Sequence, residues 1–254
     1  MRVSIITGSG SGIGAAIARR LAAKDQCLML HGQGADEAGL ARLKSVAAEC
    51  ERAGAKVAWT TGDLASAGTA SELVRSTRAV FGAIDAIVHA AGFADRRGFA
   101  KLPRDGLERA FAVMALAFHE PATAAMSDLM RDGQGRVVAI SSFGAHRFDP
   151  DSPYPASASA KAALEVLVKS LALELAPSGA TANIVVPGYT RKDPGLSGAL
   201  DAKAWEAVAK VNPQGRLAEP DEVAAAGGIS IVAGSWPCDG RAAARRRRAD
   251  NDVR

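Results

Sequence analysis

Glycines at positions 8, 10, 12 and 14 lie in one short turn, T-G-S-G-S-G-I-G, between an apolar segment and an amphipathic one. A glycine backbone can approach a ligand closely, and the amides at the start of a helix attract anions. A strand, a glycine-rich turn and a helix in this order predict a site for the pyrophosphate of a dinucleotide, whereas a turn without a ligand would not need that order. The residues predicted to line the dinucleotide here are Thr7, Gly8, Ser9, Ser11, Gly12, Ile13 and Gly14.

The elements that must position this turn alternate between short β-rich segments and longer segments with helical spacing. We predict strands at residues 2–7, 26–31, 57–61, 86–90, 136–141 and 181–186. We predict helices at residues 12–24, 35–53, 67–81, 105–131 with an interruption near Pro121, and 155–176. This alternation is typical of β-α-β units with right-handed crossovers, so we expect an α/β fold of the Rossmann type, a doubly wound parallel sheet in three layers.

The chain of 254 residues suits one domain, which we place at residues 1–226. Within it, residues 190–216 are rich in glycine and proline and have a short helical pattern at 202–211. This composition predicts either a mobile lid over a site near the strand ends or an ordinary surface excursion, and its position favours the lid.

The net charge of +4 is concentrated at the C-terminus, where residues 239–254 contain six arginines and three aspartates. The nearly neutral remainder argues against a specific nucleic-acid partner. No apolar run is long enough to span a membrane and the N-terminus does not resemble a secretory signal, so we expect a cytoplasmic protein. Three cysteines without a C-x-x-C pair predict neither a disulfide framework nor a metal site.

Five motifs in order resemble the short-chain dehydrogenase/reductase family over about residues 1–226. They are the spacing T-G-x-x-x-G-I-G, Asp63-Leu64 after the third strand, His89-Ala90-Ala91-Gly92 after the fourth, N-I-V-V-P-G at 183–188, and Gly215-Arg216 followed by residues 220–223. The third motif lacks both asparagines of the family. The resemblance implies that Asp63 and Leu64 lie at the adenine ring and suggests 3-oxoacyl-carrier-protein reductases and similar ketoreductases as relatives. It implies further dinucleotide contacts at Ala90, Ala91, Gly92, Pro187, Gly188 and Thr190.

The resemblance also implies a reaction, in which hydride passes between a nicotinamide and a carbonyl or alcohol carbon while a proton is exchanged at the oxygen. A tyrosine phenol becomes a usable acid/base when a lysine cation and the oxidised nicotinamide favour its anion. The implied acid/base is Tyr154, which would otherwise be a loop aromatic packed beside two prolines. Lys161 would lower the pKa of Tyr154 and hold the nicotinamide ribose, and Ser142, with Ser141 beside it, would orient the substrate oxygen.

Two departures from the family bear on catalysis. The family spacing Y-x-x-x-K would place the tyrosine at Ser157, whereas Tyr154 stands seven residues before Lys161, a spacing similar to that of enoyl reductases in the same superfamily. Seven residues turn a helix by about 700°, so both side chains can still share a face. Met114 replaces an asparagine that supports a water-linked proton relay, and methionine cannot form those hydrogen bonds. A dinucleotide-binding protein with impaired or no catalysis is therefore the competing interpretation.

The choice of dinucleotide depends on the end of the second strand, where residues 30–34 read L-H-G-Q-G. A carboxylate there would bind the ribose 2′-hydroxyl of NAD, and a basic residue the 2′-phosphate of NADP. The absence of a carboxylate favours NADP(H) over NAD(H). His31 is a candidate neighbour of the 2′-phosphate, with a simple strand-end histidine as the equal alternative.

The C-terminal residues 227–254 form an atypical basic tail without the strand that closes the sheet in the family. Read in a shifted frame, codons for residues 228–252 can encode A-F-L-S-S-P-A-A-G-H-V-T-G-A-Q-L-H-V-D-G-G-L-T-M-T, which resembles that missing ending. We therefore hypothesise a frameshifted C-terminus. Codons in the gene that are incompatible with the shifted frame would contradict this hypothesis. We expect the final strand to be missing or altered, the sheet edge to be exposed, and homo-oligomers to form only if the tail permits.

Overall fold

The computed structural model describes residues 1–148, 153–193, 202–212 and 214–231. Six parallel strands form one sheet in the order β3-β2-β1-β4-β5-β6. The strands are β1 (Arg2–Thr7), β2 (Gln26–Gly32), β3 (Lys56–Thr61), β4 (Ala86–His89), β5 (Arg136–Ile140) and β6 (Thr181–Val185). Each agrees with its predicted bounds to within one residue at either end, and the predicted doubly wound α/β fold is confirmed.

Helices connect the strands and cover both faces of the sheet. They are α1 (Gly12–Leu21), α2 (Glu37–Arg52), α3 (Thr69–Phe81), α4 (Arg104–Phe111), α5 (Ala117–Ala124), α6 (Met126–Met130), α7 (Pro155–Leu175), α8 (Ala202–Val211) and α9 (Pro220–Ile231). The single helix predicted at 105–131 is divided by a π-helical turn at Ala112–Leu116 and by a break at Ala125. Pro121 stays inside α5, because the hydrogen bond that it omits is the one to Ala117, at the very start of that helix.

The hydrophobic core lies on both faces of the sheet because side chains alternate along each strand. Ile6 of β1 packs in a cluster with side chains of α1, α2 and α9. Ile5, its neighbour in sequence, packs on the opposite face in a cluster with α3, α5 and α7. The result is a sandwich of helix, sheet and helix, as expected for the three-layer fold.

The strand order reverses between β1 and β4, which pair with each other in the middle of the sheet. In open parallel sheets of this kind, ligands bind in the crevice at the carboxyl ends of the strands where the order reverses. The glycine-rich turn follows β1 and residues 90–92 follow β4. The fold therefore brings these two predicted segments to the same crevice.

The C-terminal predictions can be compared with the structure only up to residue 231. Helix α9 crosses residue 227, where we set the domain boundary, and α8 has the predicted bounds. The predicted loss of the final strand, the exposed sheet edge and the basic tail lie outside the described residues, as do residues 194–201 and 213 of the predicted lid. In the part of the chain that the structure describes, no helix is both long and apolar enough to cross a membrane.

Candidate active site

The glycine-rich turn after β1 requires its glycines at specific places. Gly8 and Gly12 have φ angles of 67° and 53°, in the left-handed region that favours glycine. A Cβ on Gly8 would lie 2.9 Å from the Cα of Ala91, and a Cβ on Gly14 would overlap the carbonyl oxygen of Gly8. Gly10 differs, since its nearest neighbour is 3.8 Å away. The turn is thus packed tightly against the residues that follow β4, and at its glycines no side chain covers the backbone.

Two hydroxyls hold this turn to the strand ends. Thr7 Oγ1 accepts a hydrogen bond from the Ala91 amide at 3.3 Å and lies 3.1 Å from Nδ1 of His89. Ser9 Oγ donates to the carbonyl oxygen of His31 at 3.1 Å. Burial lowers the pKa of His89 to about 3, so a neutral imidazole takes the place of the first asparagine of the family motif. Its ring packs edge-on against Phe118 at 5.9 Å.

An acidic side chain occupies the start of α1. The Gly12 amide donates to Oδ2 of Asp193 at 2.8 Å, while Ser11, at the N-cap, forms no side-chain capping bond. Asp193 follows β6, and nothing in the sequence pattern indicated this contact. A carboxylate therefore stands where the turn offers an amide to an anionic oxygen, which shows that the turn fits an anion.

The predicted adenine end of the site lies after β2 and β3. His31 is only 2% exposed, and burial lowers its pKa to about 4, so the ring is neutral at pH 7. Asp63 accepts from the Ala65 amide at 3.0 Å and pairs with Arg109 at 3.0 Å. The Ala65 amide first, and then Arg109, hold the pKa of Asp63 below its usual range. Arg109 was not among the predicted residues. It lies in α4, and no sequence pattern links it to Asp63, which lies in the loop after β3.

Lys161 is buried beneath the ends of β4 and β5. Its Nζ donates to the carbonyl oxygen of Ile140 at 2.6 Å and to that of Ala91 at 3.4 Å. A Cβ on Gly92 would lie 3.1 Å from this Nζ and 3.6 Å from Cγ of Met114, so the lysine depends on a glycine beside it. Burial lowers the pKa of Lys161 to about 8. The amine is therefore close to its titration range at neutral pH.

The two neighbouring serines after β5 point in different directions. Ser141 is 3% exposed, and its hydroxyl donates to Oε1 of Glu165 at 2.5 Å. Ser142 is half-buried, and its Oγ accepts from the Gly144 amide at 3.2 Å, which leaves its proton free to donate. Because Lys161 binds the carbonyl of Ile140, two residues before Ser142, the lysine and this serine share the end of β5.

Tyr154 is the N-cap residue of α7, directly before Pro155 at the first helical position. The helix rises about 10.5 Å over the seven residues to Lys161, so the phenol starts about two turns away from the amine. Ser157 lies one turn before Lys161, and its Oγ accepts from the Asp95 amide at 2.8 Å. The position that carries the tyrosine in the family thus ties the loop after β4 to α7.

The segment after β6 closes the site on the side of Ser142. The Phe143 amide donates to the carbonyl of Pro187 at 3.1 Å, and the rings of Phe143 and Tyr189 lie 4.5 Å apart. Thr190 Oγ1 donates to the carbonyl of Gly188 at 3.1 Å. The fold therefore places the predicted residues of β6 beside those of β5.

A cleft of about 640 Å³ opens beside Tyr154 and carries positive charge. Its lining consists of Arg96, Arg97, Gly98, Phe99, Ala100, Lys101 and Pro153. Arg97 also pairs with Asp95 at 2.5 Å, and Phe99 is 87% exposed. Burial, and then the charge of Arg96, lowers the pKa of half-buried Lys192. The lining thus combines cationic side chains with an exposed aromatic ring.

Comparison with known proteins supports a catalytic interpretation. A family model described as enoyl-(acyl carrier protein) reductase matches residues 8–228. A cis-4-hydroxycyclohexanecarboxylate dehydrogenase of Sinomonas cyclohexanicum is 32% identical over 89% of this chain and 87% of its own length. An acetoacetyl-CoA reductase of Allochromatium vinosum is 30% identical over 92% of this chain and 91% of its own length. The structure of a 3-oxoacyl (acyl-carrier-protein) reductase from Agrobacterium tumefaciens C58 with NADP bound has a TM-score of 0.81 at 28% sequence identity. The match covers 95% of this chain and 90% of that one.

Proposed function

Because the chain belongs to the short-chain dehydrogenase/reductase family of NAD(P)-dependent oxidoreductases, we propose that it reduces the keto group of an anionic substrate such as a 3-oxoacyl thioester. The observation that carries this proposal is buried Lys161, bound to the end of β5 beside Ser142 and two helical turns from Tyr154. Tyr154 is the acid/base, Lys161 favours its anion, and Ser142 orients the carbonyl oxygen.

The residues around the crevice fit a dinucleotide. Gly8 and Gly14 form a cradle that a side chain would fill, and the Gly12 amide already binds a carboxylate. Asp63 and Leu64 would meet the adenine, while Lys161, Pro187, Gly188 and Thr190 would lie along the nicotinamide half. The bound cofactor supplies the hydride. We favour NADP(H), because residues 32–34 offer no carboxylate to repel a 2′-phosphate and a similar solved reductase binds NADP. His31 would serve there as a neutral neighbour.

Side chains of the protein supply the proton that the substrate oxygen receives. Ser142 can donate its free hydroxyl proton to the substrate oxygen, which holds the carbonyl carbon in a fixed orientation. Tyr154 then donates its phenolic proton to the same oxygen. A nearby ammonium stabilises the phenolate left behind, so the charge of Lys161 makes Tyr154 a stronger acid.

The cationic cleft supports the anionic class of substrate. Arg96, Arg97 and Lys101 line it, and the exposed ring of Phe99 offers an apolar surface between the charges. Two related proteins act on substrates that carry a carboxylate or a CoA group, judging by their names. A carbonyl compound with a carboxylate or phosphate at some distance from the keto group matches this lining.

The test is oxidation of NADPH, followed by absorbance, with matched pairs of ketones. We expect turnover with acetoacetyl-CoA and acetoacetate, and kcat/KM values about tenfold lower with their uncharged counterparts, acetoacetyl-N-acetylcysteamine and methyl acetoacetate. Equal rates with charged and neutral partners would contradict the substrate class only. Binding of NADPH without oxidation by any of the four would favour the non-catalytic interpretation.

Replacement of Asp193 by alanine is expected to tighten NADPH binding about tenfold, a change of about 1.4 kcal/mol. In the free protein the Asp193 carboxylate holds the Gly12 amide, so an incoming pyrophosphate must displace an anion. Titration calorimetry with NADPH measures the change, and Asp25→Ala at an exposed position is the matched control. Unchanged or weaker binding by Asp193→Ala would show that the carboxylate does not compete.

A further inference from the structure

A buried carboxylate lies directly behind the candidate catalytic residues. Glu165 is 3% exposed and stands four residues after Lys161 in α7, on the same face of the helix. Its Oε1 accepts from the hydroxyl of Ser141 at 2.5 Å and lies 2.8 Å from Nε2 of His146. These contacts link α7 to the end of β5 and to the loop after it.

This arrangement identifies Glu165 as the acceptor of both contacts. An imidazole nitrogen this close to a carboxylate oxygen donates its proton, which assigns a hydrogen to Nε2 of His146. A buried carboxylate is costly unless donors satisfy it, and here a hydroxyl and an N–H converge on one oxygen. The His146 side chain is 47% exposed, so this donor connects the buried acid to the surface.

Two lysines of α7 lie one helical turn from this acid, and of these Lys161 is buried whereas Lys169 is exposed. Nζ of Lys161 binds only carbonyl oxygens among the hydrogen bonds of the described residues, at Ile140 and Ala91. Burial lowers the pKa of Lys161, and the negative charge of Glu165 acts in the opposite direction. His89 also faces the lysine, but with a pKa of about 3 it is neutral at the pH of interest. The charge that favours the ammonium thus comes from Glu165.

We propose that Glu165 is a positioning residue of the reductase site, whose carboxylate keeps Lys161 cationic, while Ser141 and His146 hold the carboxylate in place. The inference rests on the proposed function, because it gives Lys161 the role of favouring the Tyr154 anion. It also assigns a purpose to Ser141, which the catalytic roles do not use. Sequence reasoning missed Glu165, although a carboxylate four residues after a key lysine is a visible signal in a helix with an apolar face.

The experiment compares Glu165→Gln with the unsubstituted protein. Glutamine keeps an oxygen that can accept from Ser141 and His146, so the variant removes charge with little change in shape. Losing an anion near an ammonium lowers the pKa of Lys161, so the protonated fraction falls at a given pH. We expect the midpoint of the Lys161 titration, followed by NMR of isotopically labelled lysine, to move down by about 1 pH unit. The alkaline limb of kcat/KM should move in the same direction by a similar amount.

Controls separate this role from a structural one. Glu174→Gln changes an exposed acid on the same helix and should move neither midpoint. Glu165→Asp keeps the charge, so its Lys161 midpoint should move by no more than half as much as in Glu165→Gln, even if its melting temperature is lower. An unmoved Lys161 midpoint in folded Glu165→Gln, or an equal shift in Glu165→Asp, would overturn the proposal. The NMR titration needs no substrate, so a protein without turnover would contradict the proposed function and still test this inference.

Discussion

Replacement of Lys161 by alanine is expected to lower kcat/KM for NADPH-dependent ketone reduction by about 1,000-fold, or about 4.1 kcal/mol. The amine is the only cation that the structure places, within its described residues, against both Ile140 and Ala91 at the ends of β5 and β4. Without it, the phenolate of Tyr154 would lose the buried ammonium proposed to stabilise it, and a bound nicotinamide ribose would lose a donor. The effect should therefore appear in kcat as well as in KM.

The matched control is Lys169→Ala, which removes an exposed lysine two turns further along α7. We expect this variant to keep its activity within about twofold, since surface substitutions change little. Steady-state kinetics with NADPH and acetoacetyl-CoA measure both variants. Lys161→Ala with more than a tenth of the original kcat/KM would show that the lysine is a core residue without a part in the reaction.

Gly14→Ala is expected to weaken NADPH binding by about 100-fold, or about 2.7 kcal/mol. The added Cβ would overlap the Gly8 carbonyl oxygen and lie 2.7 Å from the Gly8 carbonyl carbon, and neither atom belongs to a flexible side chain. The turn must therefore change shape, and the amides proposed to bind the pyrophosphate would move with it. Where the turn cannot relax, the melting temperature should fall as well.

Gly10→Ala in the same turn provides a stringent comparison. Its Cβ would meet nothing nearer than 3.8 Å, and its φ is not in the left-handed region. This variant should change the affinity for NADPH far less than Gly14→Ala does, in calorimetric titrations under the same conditions. Equal affinities of the two variants would contradict the proposed close approach of the turn to the cofactor.

The fold could be predicted from the sequence because its signals are local. Strands such as β1 are short apolar runs, helices such as α7 carry a sustained periodicity, and their order alone determines a parallel sheet. The boundaries differ by only a few residues for this reason. The π-helical turn at Met114 was not predictable, since a single extra residue in a turn leaves the helical pattern almost unchanged.

The site was only partly predictable, because several of its contacts join distant residues. The glycines and Lys161 are recognisable by spacing, but the bond between Gly12 and Asp193 spans 181 positions and has no local signal. The same holds for Arg109 and Asp63, which are 46 positions apart. His31 could be placed at a strand end, yet its neutrality follows from burial, which sequence alone did not provide.

We propose that this chain is an active carbonyl reductase with Tyr154 as its acid. The most direct measurement is the rate of NADPH oxidation with acetoacetyl-CoA by the original protein and by Tyr154→Phe, which lacks only the phenolic hydroxyl. We predict turnover by the first and a loss of about 100- to 10,000-fold in kcat for the second, with NADPH affinity retained. An unchanged rate in Tyr154→Phe would contradict the account.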